Sequence, residues 1–165
     1  MNIIDQILLN FNGPKIPPGI TEENILHGFK SVIKNTGLLG RWQVLNNKPL
    51  SICDTAHNED GIQLIVQQIK QTPHDHLHFV FGTVSDKNSS RILSLLPKQA
   101  TYYFCNAAIP RAMDANLLKE EASHFGLKGG VFSTVIDAFT EAKKRAKNKD
   151  LIFVGGSNFV VAEVL

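Results

Sequence analysis

From residue 40 onward, short apolar runs alternate with stretches in which apolar residues recur every three or four positions. The runs are "WQVL" (42–45), "LSIC" (50–53), "HFVFG" (78–82), "TYYFC" (101–105), "GGVFS" (129–133) and "LIFVGG" (151–156). Each reads as a strand, and because most are continuously apolar, both faces of their sheet should be covered. Between them Ile62, Ile65, Val66 and Ile69 form one helical stripe, and Leu117, Leu118, Ala122 and Phe125 form another, closed by Gly126. A helix begins near Ser133 or Thr134, with Asp137 as its capping-box acid and Val135, Phe139, Ala142 and Ala146 turned inward. Arg91 to Leu96 is a shorter helix stopped by Pro97. Strand and helix in alternation predict an α/β domain: three layers, Rossmann-like, with a mostly parallel sheet of about six strands flanked by helices.

The first forty residues follow other rules. "NGPKIPPG" (12–19) holds three prolines and two glycines in eight positions. It therefore reads as a linker. "TEENILHGFKSVIKNTG" (21–37) reads as one helix, with Thr21 as N-cap, Ile25, Phe29, Val32 and Ile33 as its apolar stripe, and Gly37 as its stop. "IIDQILL" is too short and too apolar to stand alone. The expected boundary separates 1–39, joinery, from 40–165, the α/β domain.

Composition narrows the class. Seventeen Lys and Arg oppose fifteen Asp and Glu, a net charge of +2, and the longest basic run is Lys143-Lys144-Arg145. No nucleic-acid footprint follows from that. With no membrane-length apolar window and no signal-peptide pattern, a cytoplasmic location is expected, with no membrane partner. Cys53 and Cys105 lie inside strand-like runs and read as buried, reduced thiols rather than a disulfide.

In an open parallel sheet, ligands collect outside the carboxyl ends of the strands. Four such places are polar here: Asp54-Thr55-Ala56-His57-Asn58, then Thr83 to Lys87, then "NAAIPRA" with Arg111, then Gly155-Gly156-Ser157-Asn158. Taken singly, Asp54 or Ser157 suits a helix cap, His57 a hydrogen-bonded core imidazole, and Lys87 or Arg111 a surface charge. Together they suggest one site. Glu59 and Asp60, in the first turn of a helix, disfavour a phosphate cradle at that helix end. An acid at 54 suits ribose hydroxyls or an ammonium group, while Arg41, Lys87 and Arg111 suit phosphates or carboxylates. The chain has neither a P-loop motif nor zinc-ligand spacing, so no metal site is expected in it.

In order along the chain, "GLLGRWQVL", "CDTAHNEDG", "FGTVSDKN", "IPRAMDANLL" and "VGGSNFVVAEVL" resemble the C-terminal domain of the folylpolyglutamate synthase and dihydrofolate synthase family, within the Mur ligase superfamily. The resemblance covers about residues 20 to 165. Two positions depart from it: Glu59 stands where the family usually has Pro, and Leu39 where Pro precedes Gly-Arg. It implies an ATP-dependent amide ligase that joins L-glutamate to a folate through an acyl phosphate, with ATP and Mg²⁺ held mainly by a P-loop domain outside this chain. Residues 1–39 would then be a linker and helix from the end of that ATPase domain, and 40–165 the glutamate ligase domain.

The same resemblance implies roles for residues. Arg41, Asp54 and His57 would face the nucleotide; Asn58, Lys87 and Ser157 the glutamate; His57 and Lys87 would be catalytic, with Asp86 and Arg111 in support. Alone, the chain should form no polyglutamate, and Asp54→Ala should cost turnover more than folding. Two other readings stay open: the lobe of a cell-wall Mur ligase, and a noncatalytic nucleotide-binding or interaction module.

Overall fold

The computed structural model describes residues 19, 21–85 and 89–165, with only the backbone at Glu22. Residues 12–18 of the proline-rich linker and "IIDQILL" lie outside the described residues, as do Asp86 and Lys87. Two compact units divide the chain, residues 1–39 and residues 40–165.

In the first unit the expected single helix is two: α1 (Glu22–Lys30) and α2 (Val32–Thr36). Thr21 caps α1 as expected, its hydroxyl accepting the Asn24 N–H at 3.2 Å while the Asn24 side chain accepts the Thr21 N–H at 3.0 Å. The helix breaks at Ser31, whose φ of −100° and ψ of 6° leave the α region. Gly37, at φ 66°, ends α2 as expected. The apolar stripe is not buried as a core face would be: Phe29 and Ile33 are 46% and 50% exposed.

The second unit carries β1 (Gln43–Asn47), β2 (Leu50–Asp54), α3 (Glu59–Gln71), β3 (Leu77–Phe81), α4 (Ser89–Leu95), β4 (Thr101–Cys105), α5 (Ala115–His124), β5 (Lys128–Phe132), α6 (Val135–Arg145), β6 (Leu151–Gly155) and α7 (Asn158–Ala162). The sheet order is β1-β2-β6-β3-β4-β5. Only β1 runs antiparallel, as the first arm of a hairpin with β2; every other neighbouring pair is parallel. β3 and β6 are buried along their whole length, as continuous apolar runs require.

Two cores, one per face, make the three layers. On one side Phe79, Tyr102 and Phe104 stack in line under α3, α4 and α5, with centroid spacings of 5.4 Å at both contacts. On the other, Cys53, Val80, Tyr103, Ile152 and Val154 pack against Val135, Ala138 and Ala142 of α6 and Val160 and Val161 of α7. Both cysteines are free and buried, and burial pushes their thiols up to about 11 at Cys53 and about 12 at Cys105. They are inert core residues. Leu117 departs from its expected place: it is 56% exposed, and Ala115, Leu118 and Ala122 form the buried side of α5. No helix among the described residues is long and apolar enough to cross a membrane.

At the amino end of the sheet a polar group is buried. His78 Nδ1 lies 2.8 Å from Tyr103 Oη and its Nε2 3.3 Å from Asp150 Oδ2, with the His76 ring edge-on at 4.9 Å. Burial outweighs the Asp150 hydrogen bond and lowers the His78 pKa from 6.5. Burial alone would raise Asp150, yet the Lys147 N–H and His78 hold it below the ordinary carboxylate range. Both shifts have one sign for stability. Below pH 6.5 the unfolded chain takes up a proton that folded His78 refuses, and lower still the unfolded carboxylate protonates before Asp150 does, so acid destabilises. Denaturant midpoints should therefore fall from pH 7.5 to 5.5 more steeply in the wild-type chain than in His78→Leu; equal slopes would contradict this.

Candidate active site

The carboxyl ends of β2, β6, β3 and β4 are level and adjacent: Asp54 pairs with Gly155, Gly155 with Phe81, and Phe81 with Phe104. The polar stretches that follow these strands therefore share one edge.

Asp54 is the keystone of its corner. It is 6% exposed, its Oδ1 accepts the Ala56 N–H at 2.8 Å, and its Oδ2 accepts the Trp42 N–H at 2.7 Å. The second bond secures a strained turn, because Trp42 sits at φ 44°, where a bulky residue is disfavoured. Its ring also packs on Phe153 at 5.9 Å. Gly40, at φ 71°, accepts the Thr55 N–H at 2.9 Å, and a Cβ there would lie 2.8 Å from Thr55 Cγ2. These bonds at Gly40 and Trp42 hold the backbone of exposed Arg41 against the loop that follows β2.

His57 is half-buried, with Nδ1 2.9 Å from the Thr55 carbonyl oxygen. A carbonyl only accepts, so Nδ1 carries the proton in this contact. The helix cap that Asp54 was a candidate for falls to Asn58, whose Oδ1 accepts the Gly61 N–H at 2.9 Å. Exposed Glu59 meets Arg91 of α4 at 3.2 Å, a surface pair that tempers the acidic first turn only slightly.

On the far side of β6, Ser157 is buried and caps α7, its Oγ accepting the Phe159 N–H at 3.2 Å. The Arg111 guanidinium carbon lies 5.1 Å from the Phe159 ring centroid. The Arg111 carbonyl accepts both the Ser85 N–H at 3.0 Å and the Ser85 hydroxyl at 3.2 Å, joining the loops after β3 and β4. Glu163 Oε1 accepts the Ala108 N–H at 2.6 Å and ties the second loop to the end of α7. Thr83 is 4% exposed, and its hydroxyl has no hydrogen-bond partner among the described residues.

Arg41, Asp54, His57 and Asn58 thus cluster on one side of β6, with Arg111 and the cap of α7 on the other. The pattern of the chain gave no sign of Trp42, Phe159 or Glu163, because all three look like ordinary core or surface positions until the loops are in place. Among the described residues no three His, Cys, Asp or Glu side chains could hold a metal ion together. These described residues therefore fit a Mg²⁺ ion poorly.

An open, mostly parallel sheet with polar loops gathered at its carboxyl edge belongs to the doubly wound α/β class, whose ligands lie at that edge. The chain belongs to the Mur ligase, glutamate ligase domain family, which matches residues 40–158. It is 31% identical over 152 residues to a probable bifunctional folylpolyglutamate synthase/dihydropteroate synthase of Haloferax volcanii, covering 90% of this chain and 17% of that protein. E. coli FolC in complex with DHPP and ADP superposes with a TM-score of 0.79 at 29% identity, covering 90% of this chain and 34% of that one. A bifunctional folylpolyglutamate synthase/dihydrofolate synthase with Mn, AMPPNP and L-glutamate bound gives a TM-score of 0.77 at 28% identity, covering 96% of this chain and 36% of that one. The chain therefore spans about a third or less of the proteins it matches.

Proposed function

We propose that residues 40–165 form the amino-acid-receiving lobe of an ATP-dependent ligase that adds L-glutamate to a folate, working against a nucleotide-binding lobe in the same polypeptide. The observation that carries this reading is the shared edge, where hydrogen bonds tie the segment of Arg41 to the loop of His57, and the loop of Arg111 to the loop after β3. When bound, ATP supplies the phosphoryl group that activates the folate carboxylate. The lobe's own part is alignment and charge neutralisation, which is most of what phosphoryl-transfer chemistry asks of a protein.

In this reading Arg41 approaches the phosphates, with its backbone anchored by Gly40 and by the Asp54 bond to Trp42. Asp54, both of whose oxygens already accept buried or partly buried N–H groups, acts by building the corner rather than by grasping ribose alone. His57 presents Nε2 toward the nucleotide. Arg111, with its guanidinium over Phe159, receives a carboxylate, and Lys87 is proposed for the same glutamate subsite together with Ser157 and Asn58. Asp86 supports that loop. Ser157 and Asn58 already cap helices through side-chain oxygens, so they would offer glutamate their remaining hydrogen-bonding capacity. The segment 1–39 is proposed as the joinery to the nucleotide-binding lobe.

Exchanging the corresponding third of E. coli FolC for residues 40–165 tests this. We expect the chimaera to incorporate glutamate into folate in an ATP-dependent way, and the 165-residue chain alone to incorporate none. Turnover by the chain alone, or transfer of another amino acid in preference to glutamate by the chimaera, would overturn the proposal.

A further inference from the structure

The opposite edge of the sheet, where the strands begin, carries a row of cations that the ligase reading does not use. Each step across the sheet contributes at least one: Lys48 in the turn between β1 and β2, Lys147 and Lys149 before β6, Lys70 at the end of α3 before β3, Lys98 before β4, and Lys128 at the start of β5. All six lysines are exposed, and among the described residues none is in an ion pair. With strands about 4.8 Å apart, the row runs roughly 20 Å.

Acids scarcely offset it. Asp150 is buried, accepting the Lys147 N–H at 2.7 Å and pairing with His78, which leaves Asp75 as the exposed acid in these connections. Helix C-termini attract cations, and that accounts for Lys70 and for Lys143, Lys144 and Arg145 at the end of α6. It does not account for Lys48, Lys98, Lys128, Lys147 and Lys149, which lie outside the helices. A concavity of about 220 Å³ opens in the middle of the row, lined by Lys70, His74, Asp75 and His76 with Leu77 and Pro97. The loops around it are tied, the Asp75 N–H donating to the Lys149 carbonyl at 3.0 Å.

We propose that this edge is a docking surface for an extended acidic polypeptide segment, one of whose carboxylate side chains enters the notch beside Lys70. Charge complementarity argues for a polyanion. A nucleic acid is the poorer occupant, because no Phe, Tyr or Trp side chain of this unit is exposed among the described residues to stack on a base. The surface lies across the sheet from the ligase edge and is independent of it.

The test uses the 165-residue chain at 0.15 M salt, where exposed charges more than about 8 Å apart are largely screened. A deca-glutamate peptide is titrated in, with a ten-residue oligothymidylate and a deca-serine peptide as comparators, and backbone amide shifts are followed. We expect deca-glutamate to move amides at 48, 74–76, 98–100, 128 and 147–150, and the triple variant Lys98→Glu, Lys128→Glu, Lys149→Glu to bind it at least about tenfold more weakly. Lys119→Glu, on the middle of α5, should leave the affinity unchanged, and unshifted amides elsewhere in the triple variant show that it is folded. Absence of deca-glutamate shifts, shifts confined to 54–58 and 155–158, or tighter binding of the oligothymidylate would overturn the proposal.

Discussion

Asp54→Ala should lower the stability of the chain by about 3 kcal/mol, because it strips two amide donors of a charged acceptor in a buried corner. For a domain of this size that is a fall in Tm of roughly 10 °C. The family resemblance implies that turnover would suffer more than folding. The two short bonds add a cost in stability of their own. Trp42 loses the bond that secures its positive φ, so Arg41 should also lose its fixed approach. Asp54→Asn keeps one acceptor oxygen and should fall between wild type and Ala. A Tm unchanged within about 2 °C in Asp54→Ala would remove Asp54 from this role.

Gly156→Ala should be at least as damaging, at more than about 3 kcal/mol, since positive-φ strain and overpacking add. Its φ is 97°, and a Cβ there would lie 2.4 Å from Phe81 Cε2 and 2.6 Å from the Gly82 carbonyl oxygen. Phe81 is buried and cannot swing aside. The backbone leading into Ser157 must move instead, taking with it the cap of α7 and the Phe159 ring under Arg111. Calorimetry on Gly156→Ala beside Gly28→Ala, a helical glycine with open space around it, makes the comparison. The second should be neutral or stabilising by up to about 1 kcal/mol. Equal Tm values would contradict the account of the β6 turn.

The strands were legible because burial on both faces writes itself as unbroken apolar runs, as in "HFVFG" and "LIFVGG". Local pattern cannot give strand order: that β6 inserts between β2 and β3 depends on pairings across more than seventy residues. Helix faces were legible where large aliphatics repeat, as in α3. In α5, Leu118, Ala122 and half-buried Phe125 take their expected places while Leu117 does not, since Ala115, Leu118 and Ala122 share one face at spacings of three and four. The break at Ser31 depends on backbone geometry that a polar residue between two apolar stretches does not announce.

Site residues divide along the same line. Asp54, His57 and Arg111 stood out as polar groups just after apolar runs, which is where an open sheet collects function. Their partners did not stand out. Trp42 holds its place through a backbone N–H, Thr55 through a carbonyl, and Phe159 as the surface beneath a guanidinium, and none of these contributions depends on residue type in a way a single sequence displays.

The central claim is that the carboxyl edge of the sheet is half of a ligand cleft. It is tested most directly by titrating ATP, and then L-glutamate, into the isotopically labelled chain and following backbone amide shifts. The account predicts ATP binding with a Kd of about 1 mM, weak because most phosphate contacts are expected from the other lobe. Shifts should centre on residues 41, 54–58 and 155–158, with glutamate moving 83–85 and 111. Shifts centred on 74–76 and 98–100 at the opposite edge, or submicromolar ATP binding, would contradict it.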